Sequence, residues 1–180
     1  NIGLNESSKW VCIHNRDSKF LKDHFLKNDL SYHDFRNFKI NTINSTIKYL
    51  ISKNIHVVRM GTVAEQEIDI KSDFIIDYPF LDFQDALLEI FLFSKCEFFI
   101  GCDSGPWTIA LLFRKPILLT NYTQINTLNK LHYDKLFIIL KKFKFKNNNK
   151  LLSLREIYEN KAEEILKTEQ ICSGIIFLKN

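Results

Sequence analysis

The sequence predicts an α/β domain, a doubly wound and mainly parallel sheet of about five to six strands with helices on both faces, in a Rossmann-like arrangement. Three observations carry that expectation. Short runs rich in Ile, Val and Phe recur along the 180 residues, and each is continuous rather than alternating. Such runs mark strands covered on both faces, because an uncovered face would show a polar residue at every second position. Segments with apolar residues three and four apart separate the runs, which is the spacing of helices that pack by one stripe. Strands and helices in that succession close into a parallel sheet through right-handed crossovers.

Taken in order, WVCIH (10–14) is the first strand. NTINSTIKYLISK (41–53) puts Ile43, Ile47, Leu50 and Ile51 on one helical face, with Asn41 placed to cap it. IHVVRMG (55–61) and DFIIDY (73–78) are the second and third strands. FQDALLEIFLFSK (83–95) reads as a helix capped by Asp82, with Phe83, Leu87, Ile90 and Phe91 at helical spacing. EFFIG (97–101) is a strand, PWTIALLF (106–113) a short helix, and PILLTN (116–121) a strand. LFIIL (136–140) is a sixth strand, and LREIYENKAEEILK (154–167) a last helix.

At 21.3 kDa the chain is read as one domain, 1–180, long enough to bury a real core. The net charge of +4 suits an anionic small molecule or lipid surface and is too weak to argue for nucleic acid. Cys12, Cys96, Cys102 and Cys172 form no CxxC pair and read as small buried apolar groups in a reducing, cytoplasmic setting. No apolar run approaches the roughly 18 residues of a membrane span. The chain opens on NIGLNESS, without a methionine, the beginning expected of a piece of a larger protein.

The stretch FFIGCDSGPWTIALLF (98–113) points to a site. An apolar strand stops at Gly-Cys-Asp-Ser-Gly-Pro and a helix starts at once. Pro106 fits a first helical position, Asp103 or Ser104 can cap, and Gly105 allows a bound group close to the backbone. The first amides of that helix favour phosphate or carboxylate. A lone turn of this kind is more often only a well-capped helix. The reading strengthens because HNRD (14–17) ends the first strand and projects Arg16 at the same sheet edge, where ligands of such sheets bind. RMG (59–61) ends the second strand in the same way, with Arg59 and Gly61. An arginine fork binds phosphate through two parallel bonds. Either arginine could instead serve a structural ion pair.

Between the first strand and first helix lies KFLKDHFLKNDLSYHDFRNFKI (19–40), far longer than an ordinary βα connection. Its aromatic residues, with Arg36 and Asn37, fit a lid or substrate-binding loop. Its His and Asp residues lack the spacing of a metal site, so no metal is expected. KKFKFKNNNK (141–150) alternates basic and aromatic residues. The plain reading is a solvated edge strand protected by lysines, with peripheral contact to an anionic membrane or RNA stacking as the alternatives.

HNRD, SYHDFRN (31–37), VVRMG and FFIGCDSGPWTIALLFRKPILLTN together resemble a family of bacterial glycosyltransferases of GT-B architecture, over about 10–121. In that architecture two Rossmann-like domains face each other across a cleft. The strand-end His-x-Arg is also similar to the motif of fucosyltransferases, whose arginine holds the β-phosphate of the donor nucleotide. The resemblance implies the C-terminal, nucleotide-sugar-binding half of such an enzyme, with a further Rossmann-like domain before it. It also implies a nucleotide-diphosphate sugar as donor, no separate cofactor, and a glycan or lipid-linked acceptor. On that reading Arg16 stabilises the departing diphosphate, while the amides at Ser104 and Gly105 cradle it beside Asp103. Arg36 and Asn37 reach the sugar or phosphates. His14 and Asp17 orient Arg16 or act on a proton. The competing class is a binding module that holds a nucleotide or phosphate at the same edge without turnover.

Overall fold

The computed structural model describes residues 2–27, 29–130, 132–164 and 175–177. Its parallel strands are β1 (Trp10–Ile13), β2 (His56–Arg59), β3 (Ile75–Asp77), β4 (Phe99–Gly101), β5 (Ile117–Tyr122) and β6 (Leu136–Leu140). They form one sheet in the order β3-β2-β1-β4-β5-β6, each adjacent pair parallel. The doubly wound α/β fold is therefore the one the strand pattern predicts. Helix α1 (Lys19–His24) lies in the insertion after β1, and α2 (Asn44–Ser52) leads into β2. Helix α3 (Ala86–Lys95) joins β3 to β4, and α4 (Pro106–Leu112) joins β4 to β5. Strands β7 (Phe143–Phe145) and β8 (Ile175–Phe177) form a small antiparallel sheet, with α5 (Leu154–Glu159) between them in the chain.

The two faces carry separate cores. Ile47 and Leu50 of α2 pack with Val11, Ile13, Val57 and Ile100 on one face. Leu92 and Phe93 of α3 and Ala110 of α4 pack with Cys12, Val58, Phe99 and Leu119 on the other. Residues alternate between cores along β1, so every position in the strand is buried. This is why the run reads as continuously apolar. Cys12, Cys96 and Cys102 are free thiols buried in this packing, while Cys172 lies outside the described residues.

Three elements depart from the sequence reading. The helix expected over 41–53 begins as a 3-10 turn, Ile40–Ile43, and the Asn41 side chain does not cap it. Helix α3 starts at Ala86, capped by Asp85 accepting from the Leu88 amide at 2.9 Å, three residues beyond the expected Asp82. Its inward stripe is Leu92 and Phe93, whereas Phe83, Leu87, Ile90 and Phe91 are 65%, 76%, 47% and 48% exposed. In ALLEIFLF almost every residue is apolar, so spacing alone cannot select the stripe that the sheet covers. The last helix is shorter than expected: α5 ends at Glu159, a 3-10 turn follows at Ala162–Glu164, and 165–167 lie outside the described residues.

Gly101 closes β4 under the ring of Phe99, and a Cβ built there would stand 2.5 Å from Phe99 Cζ. Phe99 is fully buried against Phe93, so the ring cannot yield without opening the core. Gly101→Ala is expected to cost about 1–3 kcal/mol, read as a lower urea midpoint at unchanged slope.

Candidate functional site

Strands β1 and β4 are neighbours in the sheet but far apart in the chain. The chain leaves β1 toward the face of α2 and leaves β4 toward the face of α4. The two loops therefore diverge and open a crevice at the strands' carboxyl ends, the switch point at which such sheets bind ligands. A cavity of about 500 Å³ lies there, and His14, Arg16, Arg36, Gly61, Ser104 and Gly105 all line it. Arg16 and Ser104 thus share one hollow.

Arg16 is the notable charge. It is only 8% exposed, and its Nη1 donates to the His33 carbonyl at 3.1 Å and to Asn37 Oδ1. Among the described residues no carboxylate oxygen comes within ion-pair distance of it. Burial, and after it the nearby Arg36, pull its pKa below the ordinary guanidinium value. Asn37 is held in turn: its amide donates to Ser18 Oγ at 2.8 Å and to Asp34 Oδ1 at 2.9 Å, and Ser18 donates to Asp34 at 2.7 Å. Asn37 does not line the cavity; it aims the arginine that does.

Arg36 reaches the cavity from the 3-10 turn Ser31–Arg36, with Asp103 3.6 Å away as its counter-ion. Burial raises the Asp103 pKa against the pull of that arginine. Asp103 stands behind Arg36 rather than at the start of α4. Neither Asp103 nor Ser104 caps α4, whose N-cap is Gly105 with no side-chain bond. The 3-10 turn is clamped from below by Lys141, whose Nζ donates to the carbonyls of Phe35 at 3.0 Å and Asn37 at 2.9 Å. Burial lowers the Lys141 pKa to about 8. This lysine, expected on a solvated or lipid-facing strand, is instead buried beneath the site loop.

His14 and Ser104 form a second element. His14 Nδ1 lies 3.0 Å from the Met60 carbonyl, and Nε2 lies 3.3 Å from Ser104 Oγ. A carbonyl only accepts, so Nδ1 carries the proton and Nε2 accepts from the serine hydroxyl. Burial lowers the His14 pKa to about 4, so the ring is neutral at neutral pH. Gly61 packs against this ring at φ +128°, a backbone conformation that favours glycine.

Two predicted site residues serve the frame. Arg59 is 1% exposed and outside the cavity lining. Its Nε donates to Asn15 at 3.1 Å, and its Nη1 donates to the Gln66 carbonyl at 2.7 Å and to Asp77 at 3.2 Å. Asp17 Oδ1 accepts from the Lys19 amide and Oδ2 from the Glu65 amide, both at 3.0 Å, with Arg59 4.0 Å away. Asp17 lines the cavity, but both its oxygens are engaged by the backbone.

No family model, curated protein or solved structure matches this chain. The chemistry of the site therefore rests on its own geometry.

Sequence reading passed over Glu89. It lines the cavity from the first turn of α3, and burial raises its pKa above the ordinary carboxylate value. A lone acid inside an apolar helix run is the signal that could have found it. Phe20, Leu21, Phe25 and Leu30 of the insertion also line the cavity.

Two outcomes follow from this geometry. An unfolded histidine titrates near 6.5 and His14 near 4, so acid favours the unfolded chain across that window. Wild-type stability should fall as pH drops from 6.5 toward about 4, and His14→Asn should flatten the His14 share of that slope, read by urea unfolding at each pH. Lys141→Met removes two donors to buried carbonyls and should cost about 1–3 kcal/mol, with faster amide exchange at Phe35 and Asn37.

Proposed function

We propose that this chain is a glycosyltransferase domain that binds a nucleotide-diphosphate sugar and transfers the sugar to an acceptor hydroxyl without a divalent metal. The observation that carries the reading is Arg16, a buried guanidinium beside a second arginine, bonded to neutral acceptors and facing a cavity at the switch point. Burying a cation without a counter-ion is costly. A bound diphosphate would offset that cost through charge-assisted bonds to Arg16 and Arg36. The same pair neutralises the charge that grows on the leaving diphosphate as the sugar–oxygen bond breaks, with donors fixed beforehand.

The proton of the acceptor hydroxyl must leave as the new bond forms. His14 Nε2 can take it through Ser104, since that nitrogen already accepts the serine's hydrogen. Glu89 is the other base within the same cavity. Asp17 is poorly suited, being tied to two amides.

A second reading, a nucleotide- or phosphate-binding module without turnover, is favoured by that engagement of Asp17 and by the depressed basicity of His14. Both readings require the arginine pair.

A thermal-shift panel of GDP-, UDP-, ADP- and CMP-linked sugars, followed by assay for free nucleoside diphosphate, separates them. Arg16→Ala should lose about tenfold or more in donor affinity or turnover, and Arg16→Lys should not restore it because a point charge lacks the planar fork. Wild-type binding in Arg16→Ala would remove the proposal.

A further inference from the structure

The cavity is lined by two unlike sets of side chains. One is polar, with the cations Arg16 and Arg36 beside His14 and Ser104; the other is apolar and comes from the first part of the insertion after β1. Helix α1 buries none of its six residues. So short a helix has little stability of its own in water. Its apolar side chains are nevertheless gathered on the cavity side: Phe20, Leu21 and Phe25, continued by Leu30, with Val63 and Pro106 also lining the hollow. Phe20 and Phe25 remain 46% and 44% exposed. Phe20 is stacked on His24 with ring centroids 4.2 Å apart, while Phe25 follows the helix as its C-cap.

Inorganic phosphate or pyrophosphate would occupy the arginines and leave this wall wet. A ligand that satisfies both sets is a diphosphate ester whose organic group is apolar on at least one face. We infer that the α1 wall is the subsite for that organic group, so that Phe25 and its neighbours select the ligand while the arginines hold its phosphates. The inference rests on the arginine pair binding a diphosphate, as proposed above, and adds where the remainder of the molecule lies. Two groups share the required chemistry: a nucleobase, flat and stackable on phenylalanine, and an isoprenyl chain, which needs only apolar contact.

Isothermal titration of the full chain with inorganic pyrophosphate, UDP, GDP and geranyl diphosphate tests this. At least one ester should bind about tenfold or more tightly than pyrophosphate. Phe25→Ala should bring that ester close to pyrophosphate and leave pyrophosphate itself unchanged, while Phe25→Trp should keep the preference. A preference for UDP or GDP identifies a base on the wall, and one for geranyl diphosphate identifies a lipid chain. Phe25 is half exposed at the end of a short helix, so its loss does not threaten the fold. Equal affinity for pyrophosphate and every ester would overturn the inference and leave the arginine site standing. An equal weakening of pyrophosphate and ester by Phe25→Ala would overturn it too. Failure of pyrophosphate itself to bind at millimolar concentration would overturn the arginine site and this inference together.

Discussion

The site depends on a buried guanidinium oriented by neutral partners. Arg16 is fixed by an asparagine oxygen and a backbone carbonyl, and that asparagine is fixed by Ser18 and Asp34. Such acceptors set the direction of the fork without cancelling its charge. A carboxylate in the same place would have anchored the side chain equally well and removed most of its attraction for an anion. Arg36 stands beside it with Asp103 as counter-ion, so the pair as a whole keeps a net positive field. Fixed donors of this kind need little rearrangement when an anionic group arrives.

Arg59 shows the contrast within one protein. It ends β2 directly alongside the end of β1, paired in register with Ile13, yet it is spent on structure. Asp77 at the end of β3 pairs with it, Asn15 accepts from its Nε and the Gln66 carbonyl from its Nη1, and its Nη2 stands 4.0 Å from Asp17. Asp77 also accepts the Ile68 amide at 2.8 Å, which ties the β2–β3 connection to the same knot. Two arginines near adjacent strand ends thus have unlike surroundings, decided by which carboxylates lie within reach. Arg59 ties the strand ends together, and Arg16 lines the cavity beside them.

The C-terminal part of the chain supports the site from outside the main sheet. Phe35, in the turn that carries Arg36, packs with Ile125, Phe143, Ile157 and Ala162 in a third cluster. Lys141 lies against the same turn and donates to the carbonyls of Phe35 within it and Asn37 just after it. A long insertion is thereby held by residues ninety or more positions away. The loop that brings Arg36 to the cavity is a product of this remote packing.

Six parallel strands, the helices that cover them and the place of Arg16, Ser104 and Gly105 at the strands' ends are all legible in the amino-acid order. Those features are local: a continuous apolar run, a Gly-Pro turn and the residues next in the chain. Which stripe of α3 faces the sheet is settled only by packing, because its apolar residues surround the helix. Packing likewise pairs Arg59 and leaves Arg16 on neutral acceptors, and it buries Lys141 under the Arg36 turn. The convergence of Glu89 and Phe25 on one cavity is of the same kind. Each of these joins side chains distant in sequence, and periodicity carries no information about such partners.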